Sequence, residues 1–156
     1  MAKLIPVCLA VMASVGSAPP IGPDRPTTSL HPTQVEELVD QIAEILLRRG
    51  TGAFALIGRW HAAGDGSDPD LFVLDMRGKV LFGAPRVVAD ACGERFVEAC
   101  VLVADRYGCG WVDGSSPGGT SWSYIREVRV DGVKALVGAR VHVSPDGTLL
   151  ASLPVR

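Results

Sequence analysis

The stretch Trp122-Ser-Tyr-Ile-Arg-Glu-Val-Arg-Val-Asp-Gly-Val-Lys-Ala-Leu-Val-Gly-Ala-Arg-Val-His-Val143 decides the fold. Two runs rich in Val and aromatic residues flank Asp131-Gly132, and an Asp-Gly pair in that setting marks a two-residue type I′ hairpin turn. The pattern therefore predicts paired strands over 122–130 and 133–143. Alternate strand residues share a face, so Trp122, Tyr124, Arg126, Val128 and Val130 form one row. The other row, Ser123, Ile125, Glu127 and Arg129, is mostly polar and is expected to face water.

Upstream, Gly110-Trp-Val-Asp113 reads as a further strand, with Trp111 and Asp113 pointing to one side. Before it, Phe96, Val97, Cys100, Val101 and Ala104 recur at helical spacing, which predicts a helix over 94–106 ended by Gly108. Leu71-Phe-Val-Leu-Asp75 and Lys79-Val-Leu-Phe82 read as a hairpin turning through Met76, Arg77 and Gly78. Residues 52–60 fit either a short helix or a strand, and 61–70 read as a loop. The first element is an amphipathic helix over 34–49 with Val35, Leu38, Val39, Ile42, Ile45 and Leu46 as its apolar stripe. Thr33 and Glu36 have capping-box spacing at its start, and Arg48, Arg49 and Gly50 suit its end. Residues from 144 onward read as a short appendix. The order helix, two strands, helix, three strands predicts an α+β domain: a long N-terminal helix on an antiparallel sheet of about five strands, with a second helix.

The chain has 156 residues, room for one ordinary domain. With 47% hydrophobic and 21% charged residues it has the apolar content a disordered chain lacks. Lys+Arg 15 against Asp+Glu 17 leaves a net charge of −2, without the basic surplus that electrostatic nucleic-acid binding requires. Met1-Ala-Lys3 followed by an apolar run to Val15 and the small-residue pattern Val15-Gly-Ser17 is the layout of a signal peptide. The run, of roughly twelve residues, falls short of the ~20 a membrane span needs. The expected organisation is signal peptide 1–17, flexible proline-rich spacer 18–30, one domain over 31–145 and a tail 146–156. The expected location is the periplasm or outside the cell, with no stable membrane span after cleavage.

Export into an oxidising compartment makes the cysteines matter. Cleavage would leave Cys92, Cys100 and Cys109, an odd number. Cys92 and Cys100, if they share a helix, stand ~12 Å apart, beyond disulfide reach. Cys100 with Cys109 is the pairing that a turn at Gly108 allows; otherwise all three are small buried hydrophobes.

In five places the chain resembles the single Cache domain, the extracytoplasmic relative of the PAS fold. These are Leu71-Phe-Val-Leu-Asp-Met-Arg-Gly-Lys-Val80, Gly93-Glu-Arg-Phe-Val97, Gly110-Trp-Val-Asp113, Ser123-Tyr-Ile-Arg-Glu-Val128 with Asp131-Gly132, and Leu136-Val-Gly-Ala139. The resemblance implies a PAS-like fold, export and capture of a small molecule for signalling. Three segments depart from the family pattern: the loop from Ala84 to Asp90 is shorter than usual, and two others differ in residue type. Gly114-Ser-Ser-Pro-Gly-Gly119 stands where the family has a Tyr and a Trp-Pro segment, and Ala139-Arg-Val-His142 where it has Gly and Tyr. All three fall where pocket walls are expected, so the ligand is read from this chain's own residues.

That reading selects Trp111, Asp113, Trp122, Tyr124 and Arg126. Aromatic walls with one cation and one anion suit an amino acid, organic acid or amine: Arg126 would take a carboxylate and Asp113 an amine or hydroxyl. The alternative is that the two tryptophans are core or lid aromatics and Arg126 pairs with Asp113 across the strands. No nucleophile motif accompanies His31, His61 or His142, and Asp65, Asp68 and Asp70 lie in a Gly/Ser/Pro loop of solvated type. No enzyme, metal or cofactor is therefore expected. Nothing after Val143 reads as an output module, so a signal would pass through a partner such as a membrane receptor. The competing expectation is a structural or interaction protein of the same fold, homodimeric through its long helix.

Overall fold

The computed structural model describes residues 29–63, 68–83, 94–116 and 119–151. The signal peptide, nearly all of the spacer, Cys92, Gly93 and the 84–90 loop lie outside the described residues.

Helix α1 spans Pro32–Arg49. It starts earlier than the Thr33–Glu36 spacing predicts, because proline's fixed φ and missing N–H suit the first helical position. His31 is the cap: its Nδ1 accepts from the Thr33 N–H at 3.4 Å, and its own N–H donates to Gln34 Oε1 at 2.8 Å. A 3₁₀ turn, Gly50–Ala53, leads into helix α2, Phe54–Ala63, which settles the helix-or-strand alternative for 52–60. Strands β2 (Asp70–Asp75) and β3 (Val80–Phe82) form the expected hairpin. Helix α3 covers Glu94–Tyr107. Strands β4 (Cys109–Asp113), β5 (Ser121–Val130) and β6 (Val133–Val143) follow. Asp131 and Gly132 have φ of 51° and 81°, the positive values that a type I′ turn requires at both positions.

Two strands were not legible in the sequence. Ser29–Leu30, assigned to the spacer, forms β1, and Leu149–Leu150, assigned to the tail, forms β7. They pair with each other, and β7 also pairs with His142 and Val143 of β6. Among the described residues the sheet thus has seven strands, all antiparallel, where about five were expected. Its spine is β6, flanked along its length by β5 on one side, and by β2 and then β7 on the other.

Helices cover both faces of the sheet. Val35, Val39, Ile42 and Leu46 of α1 and Ile57 of α2 form one apolar cluster with Leu71, Val73, Tyr124, Val137 and Val141. Phe96, Cys100 and Ala104 of α3 form a second with Phe72, Leu74, Ile125 and Leu136. This corrects the expectation that the row holding Ser123 and Ile125 faces water. Both residues are fully buried, because α3 and the sheet's second core lie on that face. Glu127 is half-buried, and only Arg129 of the row is exposed.

The Cys100–Cys109 disulfide does not form. Cys100 lies in the α3-side cluster, whereas Cys109 packs against the α1-side cluster. The sheet itself separates them, a consequence of strand alternation after the turn at Gly108.

Candidate functional site

The register of β4 on β5 sets Trp111 opposite Tyr124, Asp113 opposite Trp122 and Cys109 opposite Arg126. All five predicted residues therefore share one face, and it is the face that α1 crosses. Helix α1 brings two carboxylates one turn apart onto this row. The Trp111 Nε1–H donates to Glu36 Oε1 at 2.7 Å, and Arg126 Nη1 stands 2.6 Å from Asp40 Oδ1. The Trp111 and Tyr124 rings tilt against each other with centroids 5.5 Å apart.

These contacts divide the five residues. Tyr124 is buried beneath α1, and burial, with the Cys109 thiol and the charges of Asp40 and Glu36 nearby, pushes its phenol well above the ordinary value. The Asp40 carboxylate holds the guanidinium of Arg126 firmly in its charged form. Asp113 Oδ1 accepts the Ser115 N–H at 2.8 Å, and that hydrogen bonding holds its carboxyl below the usual range. The Arg126–Asp113 pair does not form. Cys109 and Asp113 occupy opposite ends of β4, so their partners across the register stand roughly 13 Å apart at ~3.4 Å per residue.

The two tryptophans line a cleft of about 330 Å³ together with Pro32, Val143, Gly147 and Leu149. It lies between the start of α1, the β4–β5 pair and the turn that leads into β7. Trp122, 40% exposed, offers its indole to this space. Two of the five predicted residues thus meet at one cleft, while Asp113, Tyr124 and Arg126 are engaged elsewhere. The walls are almost wholly apolar, so the cleft can grip an aromatic or aliphatic body but aims no charged side chain at it.

Sequence reasoning gave Glu36 a capping role, which His31 and Gln34 fill instead, and missed Asp40; their i, i+4 spacing beside the apolar stripe is the signal that could have placed both on this row. It also missed Pro32, Val143 and Leu149, which the cleft draws from segments distant in sequence. Among the described residues, no group of three or more His, Cys, Asp and Glu side chains is placed to hold a metal ion. No described helix is long and apolar enough to cross a membrane. The fold and site define the class: a mixed α+β domain whose antiparallel sheet carries helices on both faces and an aromatic cleft at the start of its first helix. Comparison with protein-family models, curated proteins and solved structures finds no match for this chain.

Proposed function

We propose that the chain is an exported, non-catalytic sensor-type domain, PAS-like in the manner of a single Cache domain, that captures a small organic molecule. Its occupancy is read by a partner such as a membrane receptor. The observation that carries this reading is the cleft of about 330 Å³ between Trp111 and Trp122, at the lower end of the volumes that small-ligand sites occupy. Because Arg126 and Asp113 are held by Asp40 and Ser115, recognition rests on ring and methylene contact. Among amino acids, organic acids and amines, those with an aromatic or branched apolar body fit best.

The competing reading, a homodimer through the long helix, draws no support from α1. Its apolar stripe is already buried on its own sheet. The solvent side presents Glu37, Gln41 and the Glu44–Arg48 pair, with Leu47 a single exposed apolar residue.

A thermal-shift and tryptophan-fluorescence screen of those three ligand classes tests the proposal. A fitting ligand raises Tm saturably, by RT ln(1 + [L]/Kd) in stability, and perturbs indole emission. Trp122→Ala removes both responses while leaving the circular-dichroism spectrum of the fold in place. A full panel that moves neither signal overturns the reading. Mass spectrometry of the natively expressed protein locates the mature N-terminus, and an intact residue 1 in that protein overturns export by a cleaved signal peptide.

A further inference from the structure

A second polar constellation lies on the opposite face of the sheet, where no ligand role was expected from the sequence. Alternation along β6 sends Arg140 and His142 to the α3 side, beyond Gly138 and the Phe72 ring. The register sets Asp70 beside Arg140 on one flank and Ser123 beside it on the other, with Ser121 beside His142. A cation, an anion, an imidazole and two hydroxyls thus converge on one end of the sheet.

The constellation is enclosed. Ser123 is 0% exposed and Arg140 8%. The side chains of His142 and Asp70 are 13% and 28% exposed, so access is from their end. Most of the groups have protein partners. Ser121 Oγ donates to the Gly114 carbonyl at 2.7 Å. Asp70 Oδ2 lies 3.4 Å from Arg140 Nη2 and 3.8 Å from His142 Nε2. Burial alone would raise the Asp70 carboxyl, but His142 and Arg140 more than offset it and hold the group ionised, below its ordinary value.

Two groups have none. Arg140 Nε and Ser123 Oγ are both buried, and neither finds a hydrogen-bond partner among the described residues. The contact of Arg140 with Asp70, at 3.4 Å, is long for a charge-assisted hydrogen bond, which ordinarily spans about 2.7–2.9 Å. A buried guanidinium N–H left unpaired is costly. A guanidinium can only donate, so the group that completes it must be an acceptor. The neighbouring hydroxyl adds a second donor, and His142 borders the same end of the sheet.

We propose that Arg140, Ser123 and His142 form a binding site for a small oxyanion, a carboxylate or inorganic phosphate, on the sheet face opposite the tryptophan cleft. The oxyanion accepts from Arg140 Nε–H and Ser123 Oγ–H. Asp70 stays at the rim, where it orients the guanidinium and the imidazole. The two sites are separated by the sheet, so this inference stands or falls independently of the tryptophan cleft.

Isothermal titration of the full chain with sodium acetate and with sodium phosphate, each against sodium chloride at matched ionic strength, tests it. The expected result is saturable 1:1 binding of at least one oxyanion, acetate marking a carboxylate site and phosphate a phosphate site. Ser123→Ala removes one donor at nearly constant volume and weakens that binding about tenfold, without lowering the Tm of the free protein. Arg140→Met abolishes it. Should that variant fail to fold, Ser123→Ala still decides the matter. Trp122→Ala leaves the oxyanion affinity unchanged. The proposal is overturned if neither oxyanion binds more than chloride does, if Ser123→Ala binds as tightly as the parent, or if Trp122→Ala abolishes binding.

Discussion

A Cβ built on Gly138 would fall 2.4 Å from Phe72 Cζ and 3.0 Å from Ile125 Cγ2, inside the α3-side core. Both neighbours are themselves buried, so neither can yield by swinging into solvent. Gly138→Ala is expected to cost about 1–3 kcal/mol by overpacking, read as a lower urea midpoint at unchanged m-value. An unchanged midpoint would show that Phe72 can reorient. Asp70 makes a different prediction, with a defined sign. Its folded-state pKa is depressed, so its contribution is present above the ordinary carboxylate value of ~3.9 and is lost as pH falls through the lower, folded value. Asp70→Asn should therefore be less stable than the parent at pH 7. The gap should close as the pH is taken well below 4, as urea titrations at several pH values would show. A gap that is constant with pH would mean that Asp70 acts through packing and not through charge.

At the scale of elements, the β5–β6 hairpin tip holds the end of α1. Asp131 Oδ2 accepts from the Thr51 N–H at 3.1 Å and from Thr51 Oγ1 at 2.8 Å, across the turn that follows the helix. Gly50 sits beneath this clasp with φ 56°, and a Cβ there would overlap the Asp131 carboxylate. Asp131→Ala is expected to cost about 1–3 kcal/mol, from lost hydrogen bonds and a positive φ. Gly52→Ala, with nothing within 4 Å of the new methyl, should be neutral or slightly stabilising. Thermal melts that rank the two variants the other way would refute the clasp. The elements themselves were largely legible, because Asp131-Gly132 and the Val35–Leu46 stripe are local signals. How they dock was not. Asp40 meets Arg126 and Glu36 meets Trp111 only once α1 lies across β4 and β5, and no local spacing encodes that angle. The facing of Ser123 failed for a related reason. A polar residue in an alternating strand looks the same whether its face meets water or a second helix.

For the whole molecule, the α+β class and the order of the main elements were readable, whereas the extent of the domain was not. Two-residue strands such as Ser29–Leu30 and Leu149–Leu150 carry no periodicity, so β1 and β7 passed for spacer and tail. Removing everything after Val143 should lower Tm by several degrees for a domain of this size, since it strips the partner from β1 and from the end of β6. An unchanged Tm would mean that β7 is dispensable. The two helix-covered faces also bear on redox behaviour. Peptide mapping of the oxidised protein should find no Cys100–Cys109 crosslink, and its detection would require α3 or β4 to rearrange. Finally, the pairing of Ser29 with Leu150 brings the two flanks of the domain to one corner of the sheet. A tether at one end and a partner at the other would therefore pull on adjacent strands from the same side. That load opens the short β1–β7 ladder bond by bond, as a zipper does, before any shear reaches β6. Mechanically, the domain has a weak latch at its corner and a stiff body behind it.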